Sequence, residues 1–197
     1  MKKQSALFIS TLLVLLLILS GCASKKDIEN TLRDAERAAS QSKYEEARGY
    51  YKQVLAWDKE NRDAQYGLED LEKAAANHDQ STAHEISTAI AYCVFDPALS
   101  GSTVPTSGDY TLDEFLDKCG SNFKKTVLGD YLHVENVKEI SDSLVSTNKE
   151  GEPIKGSEIR VGMYSFKNGN VEFSVYIPGS YDVGRDQIIY GGVLPKN

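Results

Sequence analysis

The strongest constraint on the fold of this 197-residue chain is a pair of alternating apolar segments in its last third. In both segments an apolar side chain occupies every second position: Ile159, Val161, Met163 and then Val171, Phe173, Val175, Ile177. Asn168-Gly169 lies between the segments, and this residue pair is preferred in the tight type I′ turn. These residues therefore predict an antiparallel β-hairpin.

Helical patterns precede the hairpin. Residues 28–41, 44–57 and 62–76 are rich in helix-forming residues or carry apolar side chains at helical spacing. From Ala83 on, one apolar face repeats at the positions of Ile86, Ala89, Ile90, Cys93 and Val94. Residues 79–82 either cap this helix or lie inside a longer one.

The segment between the helices and the hairpin is less regular. Thr111 and Glu114 have capping-box spacing and predict a short helix that ends at Gly120. We expect a loop at 101–108, a turn at 151–153 and strands at 133–137, 140–146 and 187–190. Helices followed by an antiparallel meander predict an α+β fold, with residues 28–78 as a helical module and 79–197 as a separate domain of helix and sheet.

The first 22 residues have the charge and length layout of a secretory signal peptide. Lys2 and Lys3 precede an apolar stretch, residues 6–19, that is too short to cross a bilayer. The stretch ends in Leu19-Ser20-Gly21-Cys22, which resembles the lipobox of bacterial lipoproteins. The resemblance implies removal of residues 1–21, a diacylglyceryl group on the sulfur of Cys22 and often an acyl chain on the new amine.

A lipid anchor at Cys22 would hold the protein on the extracytoplasmic face of the cell membrane, because two or three acyl chains bind firmly. Without Lys2 and Lys3 the chain keeps 20 basic and 29 acidic side chains, a net charge of about −9. The body should therefore avoid an anionic lipid surface. We predict residues 22–27 to be a tether that reaches less than about 20 Å.

The second predicted helix resembles a tetratricopeptide repeat through Tyr44-Glu45-Glu46-Ala47, Tyr51, Val54-Leu55, Asp58 and Asn61. In that family the residue at the Ala47 position lets two helices approach closely, and Tyr51 and Val54 fill the groove between them. The resemblance covers about one and a half repeats, although Lys59 stands where the family usually has proline. It implies a protein-binding surface, and the alternative is a three-helix spacer.

Residues 81–90 are similar to the soluble half of the helical spine in type IV pilins. The resemblance extends over about residues 80–180 and implies a long helix packed on a sheet. A lipobox stands where pilins have their own leader, so we expect at most a pilin-like globular domain on a lipoprotein.

Cys93 and Cys119 remain after Cys22 is assigned to the anchor. Each lies on the apolar face of its own predicted helix, so packing of the two helices could bring the sulfur atoms together. Outside the cytoplasm such a pair is a candidate disulfide, with a contribution to stability of roughly 3 kcal/mol. The alternative is two buried free thiols.

Signatures of catalysis are missing from the sequence. His78, His84 and His133 lack the spacing of metal ligands, and no Gly-x-Ser-x-Gly motif or complete phosphate-binding loop occurs. We predict no catalytic residue, no metal and no cofactor. The net charge of −7 removes the general attraction to nucleic acid.

The one unusual feature of the composition is its content of eleven tyrosines. Those of the predicted second domain include Tyr110, Tyr131, Tyr164, Tyr176, Tyr181 and Tyr190. Exposed tyrosines suit recognition surfaces, although rings half-buried on a thin sheet are an equally good interpretation.

These features predict a non-enzymatic lipoprotein that binds or scaffolds proteins of the cell envelope. The first alternative is an accessory pilin-like subunit of a type IV pilus or secretion system. The second is a carbohydrate-binding protein or enzyme whose site forms only in three dimensions, which converging carboxylates or stacked tyrosines would indicate.

Overall fold

The computed structural model describes residues 23–99, 102–148, 150–166, 171–180 and 188–194. The chain divides into two compact units, Met1–Leu71 and Glu72–Asn197. The fold is α+β, as predicted: the first unit is helical, and the second contains helices and an antiparallel sheet. The division falls between Leu71 and Glu72, seven residues before the boundary expected from the sequence. Cys22 and the signal-like segment lie outside the described residues.

Three helices follow one another from the start of the described chain: α1 (Lys25–Ser40), α2 (Tyr44–Trp57) and α3 (Arg62–Phe95). The N-terminal helical hairpin is thus present. Helix α1 begins within the expected tether because Ser24 and Asp27 form a capping box. The Ser24 hydroxyl accepts from the Asp27 amide at 3.2 Å, and the Asp27 carboxylate accepts from the Ser24 amide at 3.1 Å.

The core of the first unit is built mainly from small side chains. Its buried apolar members are Ala35, Ala38, Ala47, Tyr51, Val54, Ala64 and Leu71. Alanines at the contacts allow helix backbones to approach closely, and the aromatic ring of Tyr51 fills the remaining space.

Helix α3 is 34 residues long and continues through residues 79–82, which therefore lie inside a helix rather than at its cap. The Asp79 carboxylate accepts hydrogen bonds from another segment and so does not compete for the backbone of its own helix. Among the described helices, none combines the length and the apolar character needed to cross a membrane.

The second unit continues after α3 with short elements. In chain order they are a 3₁₀ turn (Pro97–Leu99), β1 (Gly108–Thr111), α4 (Leu112–Cys119), α5 (Ser121–Lys125), a π-helical turn (Thr126–Tyr131), α6 (Val137–Asp142), β2 (Arg160–Ser165), β3 (Val171–Ile177) and β4 (Ile188–Leu194).

The four strands form one antiparallel sheet in the order β1-β2-β3-β4. Val161 lies opposite Val175, and Met163 lies opposite Phe173, so the alternating apolar residues share one face. That face belongs to the same buried core as Ile86 and Ile90 of α3. The predicted hairpin strands and the final strand are confirmed, and the Asn168-Gly169 turn lies outside the described residues.

The strands expected at 133–137 and 140–146 are wrong. Helix α6 (Val137–Asp142) forms in the middle of this region because Asn136 caps it, accepting from the Glu139 amide at 3.2 Å. The segment expected to be a loop, 101–108, ends where β1 begins at Gly108. The capping box of Thr111 and Glu114 begins α4, as predicted. Gly151, with φ of 78°, forms the expected turn before Pro153.

Candidate functional site

Three exposed aromatic side chains, Tyr92, Phe95 and Tyr131, mark the candidate site, and we refer to them as the aromatic cluster. They are 58%, 57% and 41% exposed. The rings of Tyr92 and Tyr131 are stacked, with centroids 5.7 Å apart and an interplanar angle of 12°. At this separation parallel rings are offset, an arrangement that aromatic pairs prefer. Large rings held in this way at the surface are typical of recognition sites.

Helical geometry places the cluster at the surface. Ile90 and Cys93 of α3 are buried, so Tyr92 between them points away from the core. Phe95 follows Tyr92 by three residues and lies on the same side of the helix.

Tyr131 reaches the pair from a π-helical turn. Val127 and Leu128 of this turn are buried, and the Leu132 amide donates to the Val127 carbonyl at 3.1 Å, five residues back. The wider turn carries Tyr131 to the surface beside α3. Single π-helical turns occur frequently at functional sites.

Two acidic side chains, Asp96 and Asp130, lie near Tyr131. Partial desolvation raises the pKa of the Tyr131 phenol, and negative charge on neighbours that include Asp96 and Asp130 raises it further. Asp96 follows α3 directly, and α3 has no basic residue in its last turn. In the part of the chain that the structure describes, neither Asp96 nor Asp130 forms an ion pair, and Asp96 accepts a hydrogen bond from the Ala98 amide at 2.8 Å.

Cys93 and Cys119 belong to one buried core, and Cys93 is the neighbour of Tyr92 in α3. They are 1% and 2% exposed, and both are free thiols here. Burial raises the pKa of Cys93 to about 11, with a smaller contribution from Asp96 and Asp130. Burial also raises the pKa of Cys119 to about 12, and the charge of Cys93 adds to this effect. The structure therefore brings the two candidate cysteines into one neighbourhood, and their pairing stays a prediction.

The residues predicted to pack the repeat lie together in the first unit. Ala47, Tyr51 and Val54 are buried, and Tyr44 packs half-buried against them. The sequence analysis missed their partner Gly67. A Cβ atom at Gly67 would lie 2.7 Å from the Tyr51 hydroxyl oxygen. Only glycine therefore allows the backbone of α3 to lie this close to the Tyr51 ring.

A second feature that sequence reasoning missed is the fully buried carboxylate of Asp79. It accepts from the backbone amides of Val145 at 3.0 Å and Ser146 at 2.9 Å, and from the Ser146 hydroxyl at 2.5 Å. The Ser146 hydroxyl also lies 3.2 Å from the Ala75 carbonyl oxygen. These bonds join α3 to the chain that follows α6, and all polar groups in them are satisfied, so we assign them a structural role.

The outer face of the sheet carries a polar network rather than a row of exposed tyrosines. The Tyr176 hydroxyl donates to Asp109 at 2.7 Å, and Arg160 forms an ion pair with the same carboxylate at 3.1 Å. Tyr176 and Tyr110 are half-buried, while Tyr164 is exposed. The side chains of Tyr181 and Tyr190 lie outside the description. Among the tyrosines named from the sequence, Tyr131 is the one that the structure places in the aromatic cluster.

Within the described residues, no group of three or more histidine, cysteine or acidic side chains is placed to hold a metal ion. Comparisons with protein-family models, with characterised proteins and with solved structures found no significant match to this chain.

Proposed function

We propose that this chain is a bacterial lipoprotein, anchored through Cys22 on the extracytoplasmic face of a membrane, that binds another envelope protein and is not an enzyme. The observation that carries the binding role is the aromatic cluster, whose rings are exposed although the second unit buries an extensive apolar core. The lipobox residues Leu19-Ser20-Gly21-Cys22 support the anchor.

The stacked rings of Tyr92 and Tyr131 are also the feature that would indicate a carbohydrate-binding protein. The carboxylates of Asp96 and Asp130 near Tyr131 favour a charged protein segment over a neutral glycan.

The start of the folded chain suits such an anchor. Helix α1 begins at Lys25, three residues after Cys22, and its capping box defines that start. Three residues reach about 10 Å, so an anchored Cys22 would keep α1 close to the membrane. We infer that the protein acts on partners within the envelope rather than far from its surface.

Site-specific photocrosslinking in the native bacterium tests the binding role. A photoreactive amino acid replaces Tyr131 in the cluster or, as a matched control, the exposed Tyr164 of β2. We expect a crosslinked protein of defined mass from position 131 and not from position 164. Absence of any crosslinked protein, or equal crosslinking from both positions, would contradict the proposed role.

An accessory pilin-like subunit is the second candidate. The observation that favours it is the common core of the long helix α3 and a four-stranded antiparallel sheet. Fractionation of sheared surface filaments distinguishes the two candidates. Copurification of the chain with filaments favours the pilin-like role, whereas its retention in the membrane fraction favours the anchored binding protein.

A further inference from the structure

Two acidic side chains and the C-terminal end of a helix lie beside the aromatic cluster. Tyr92 and Phe95 lie in the last turn of α3, where the helix dipole presents partial negative charge. Asp96 comes directly after the helix, and Asp130 precedes Tyr131. Asp130 is exposed and Asp96 is partly exposed, so a ligand can reach both carboxylates. The cluster therefore offers apolar ring surface within a negative electrostatic environment.

We propose that the aromatic cluster binds a basic segment of a partner protein, with a lysine or arginine side chain against the rings of Tyr92 and Tyr131 and its charge facing Asp96 and Asp130. This inference rests on the proposed protein-binding function and adds the chemistry of the partner.

Cation–π attraction explains why a basic side chain fits. A tyrosine ring attracts an ammonium or guanidinium group placed over its face, and the long aliphatic stem of that side chain packs on neighbouring apolar surface. Tyr92 and Tyr131 are 58% and 41% exposed, so ring surface stays accessible beside the stacked contact. The carboxylates of Asp96 and Asp130 add direct attraction and increase the rate of encounter with a positively charged partner.

The same charges disfavour other occupants. An anionic lipid surface would be repelled by Asp96 and Asp130. A second copy of this chain carries a net charge of about −9 in its mature form and would be repelled as well. A neutral glycan could stack on the rings but would gain no long-range attraction from the carboxylates, so the test includes one.

Defined probes test the proposal with the complete mature chain, residues 22–197, carrying Cys22→Ser to keep it in solution. The basic probe is a synthetic peptide of lysine and arginine spaced by glycine and serine. Its matched control has acetyl-lysine and citrulline at the same positions, which removes the charge and keeps the length. An oligomer of N-acetylglucosamine serves as the glycan probe. Binding is followed by fluorescence anisotropy and by amide shifts in NMR spectra.

Two variants remove one part of the site each: Tyr131→Leu disrupts the ring pair, and Asp96→Asn with Asp130→Asn removes the charge. Their matched controls are Tyr164→Leu, another exposed tyrosine, and Glu150→Gln with Glu172→Gln, two exposed carboxylates. Thermal unfolding of each variant verifies that the fold is kept, since all of these side chains are at the surface.

The proposal predicts that the basic peptide shifts the amides of Tyr92, Phe95 and Tyr131 and binds at least tenfold more tightly than its uncharged control. We expect both site variants to weaken binding at least tenfold, the control variants to leave it unchanged, and salt to weaken it. The proposal is overturned if both peptides bind equally, or if binding survives in the site variants. It is also overturned if only the glycan shifts these amides, or if no probe binds. A crosslink from position 131 without peptide binding would keep the proposed function and reject this inference alone.

Discussion

The ring of Tyr51 in α2 lies directly over Gly67 in α3. A Cβ atom at position 67 would be 2.7 Å from the Tyr51 hydroxyl oxygen, far inside van der Waals contact. Tyr51 is 5% exposed, so its ring cannot swing into solvent without leaving the core of the first unit. At this point of the contact between α2 and α3, the position of the Tyr51 ring therefore requires glycine at position 67.

We predict that Gly67→Ala destabilises the first unit by about 1–3 kcal/mol, because overpacking outweighs the better helix propensity of alanine. Trp57, the only tryptophan of the chain, lies in the same unit, and its fluorescence during urea unfolding reports the change.

Gly49 in α2 supplies the matched control for this substitution, since a Cβ atom there meets nothing within 4 Å. We expect Gly49→Ala to stabilise the unit by about 0.5–1 kcal/mol. Equal effects of the two substitutions would show that helix propensity, and not the contact with Tyr51, determines the result.

The buried carboxylate of Asp79 leads to a second prediction. Asp79→Ala leaves the amides of Val145 and Ser146 without their acceptor, which should lower the free energy of unfolding by about 3 kcal/mol. Glu85→Ala, an exposed position on the same helix, should change it by less than about 0.5 kcal/mol. Denaturation followed by circular dichroism provides both values, and similar losses would contradict a structural role for the Asp79 bonds.

The raised pKa values of Cys93 and Cys119 predict a loss of stability at high pH when both are reduced. The folded state keeps both thiols protonated up to about 11 and about 12, whereas an unfolded thiol ionises near its ordinary value of 9.0. Above pH 9 the unfolded state binds fewer protons than the folded state, so the free energy of unfolding falls with rising pH. The stability contributed by the two thiols is therefore complete below pH 9 and is lost as the pH approaches 11 to 12.

Denaturation between pH 8 and pH 11 measures this dependence. In the double variant Cys93→Ala with Cys119→Ala, we expect a shallower decrease of the unfolding free energy than in the reduced parent. Identical slopes for the two proteins would show that the thiols do not titrate differently in the folded and unfolded states.

If the chain is exported as proposed, the disulfide hypothesis predicts a covalent bond between Cys93 and Cys119. Oxidation of the two thiols by an envelope dithiol oxidase would release two protons and two electrons and form one S–S bond between Cys93 and Cys119. Peptide mapping without reductant should then find the two cysteine peptides linked, and reduction should lower stability by roughly 3 kcal/mol. Two alkylatable thiols in the exported protein would support the alternative of buried free cysteines.

The sequence predicted those parts of the fold that depend on local patterns. Alternation at Val171–Ile177 and the capping box at Thr111 each act over a few residues, so they are visible without the structure. Helix α6 was mistaken for strand because its β-branched residues outweighed the cap at Asn136, which acts through one side-chain hydrogen bond.

Longer-range relationships could not be predicted. Asp79 and Ser146 are separated by 67 residues, and no local pattern marks them as partners. Tyr131 was one of several tyrosines named from the sequence, Tyr92 was not, and the stacking of the two rings depends on a π-helical turn that has no sequence signature of its own. The sequence therefore indicated that exposed tyrosines could form a recognition surface, but it did not indicate where on the fold this surface lies.

The mass of the mature N-terminal peptide tests the anchored-lipoprotein account most directly. Protein purified from membranes of the native bacterium should lack residues 1–21 and carry a diacylglyceryl group on Cys22, and the Cys22→Ala variant should lose the modification and leave the membrane fraction. An uncut precursor with an unmodified Cys22, or a chain recovered from the cytosol, would contradict the account.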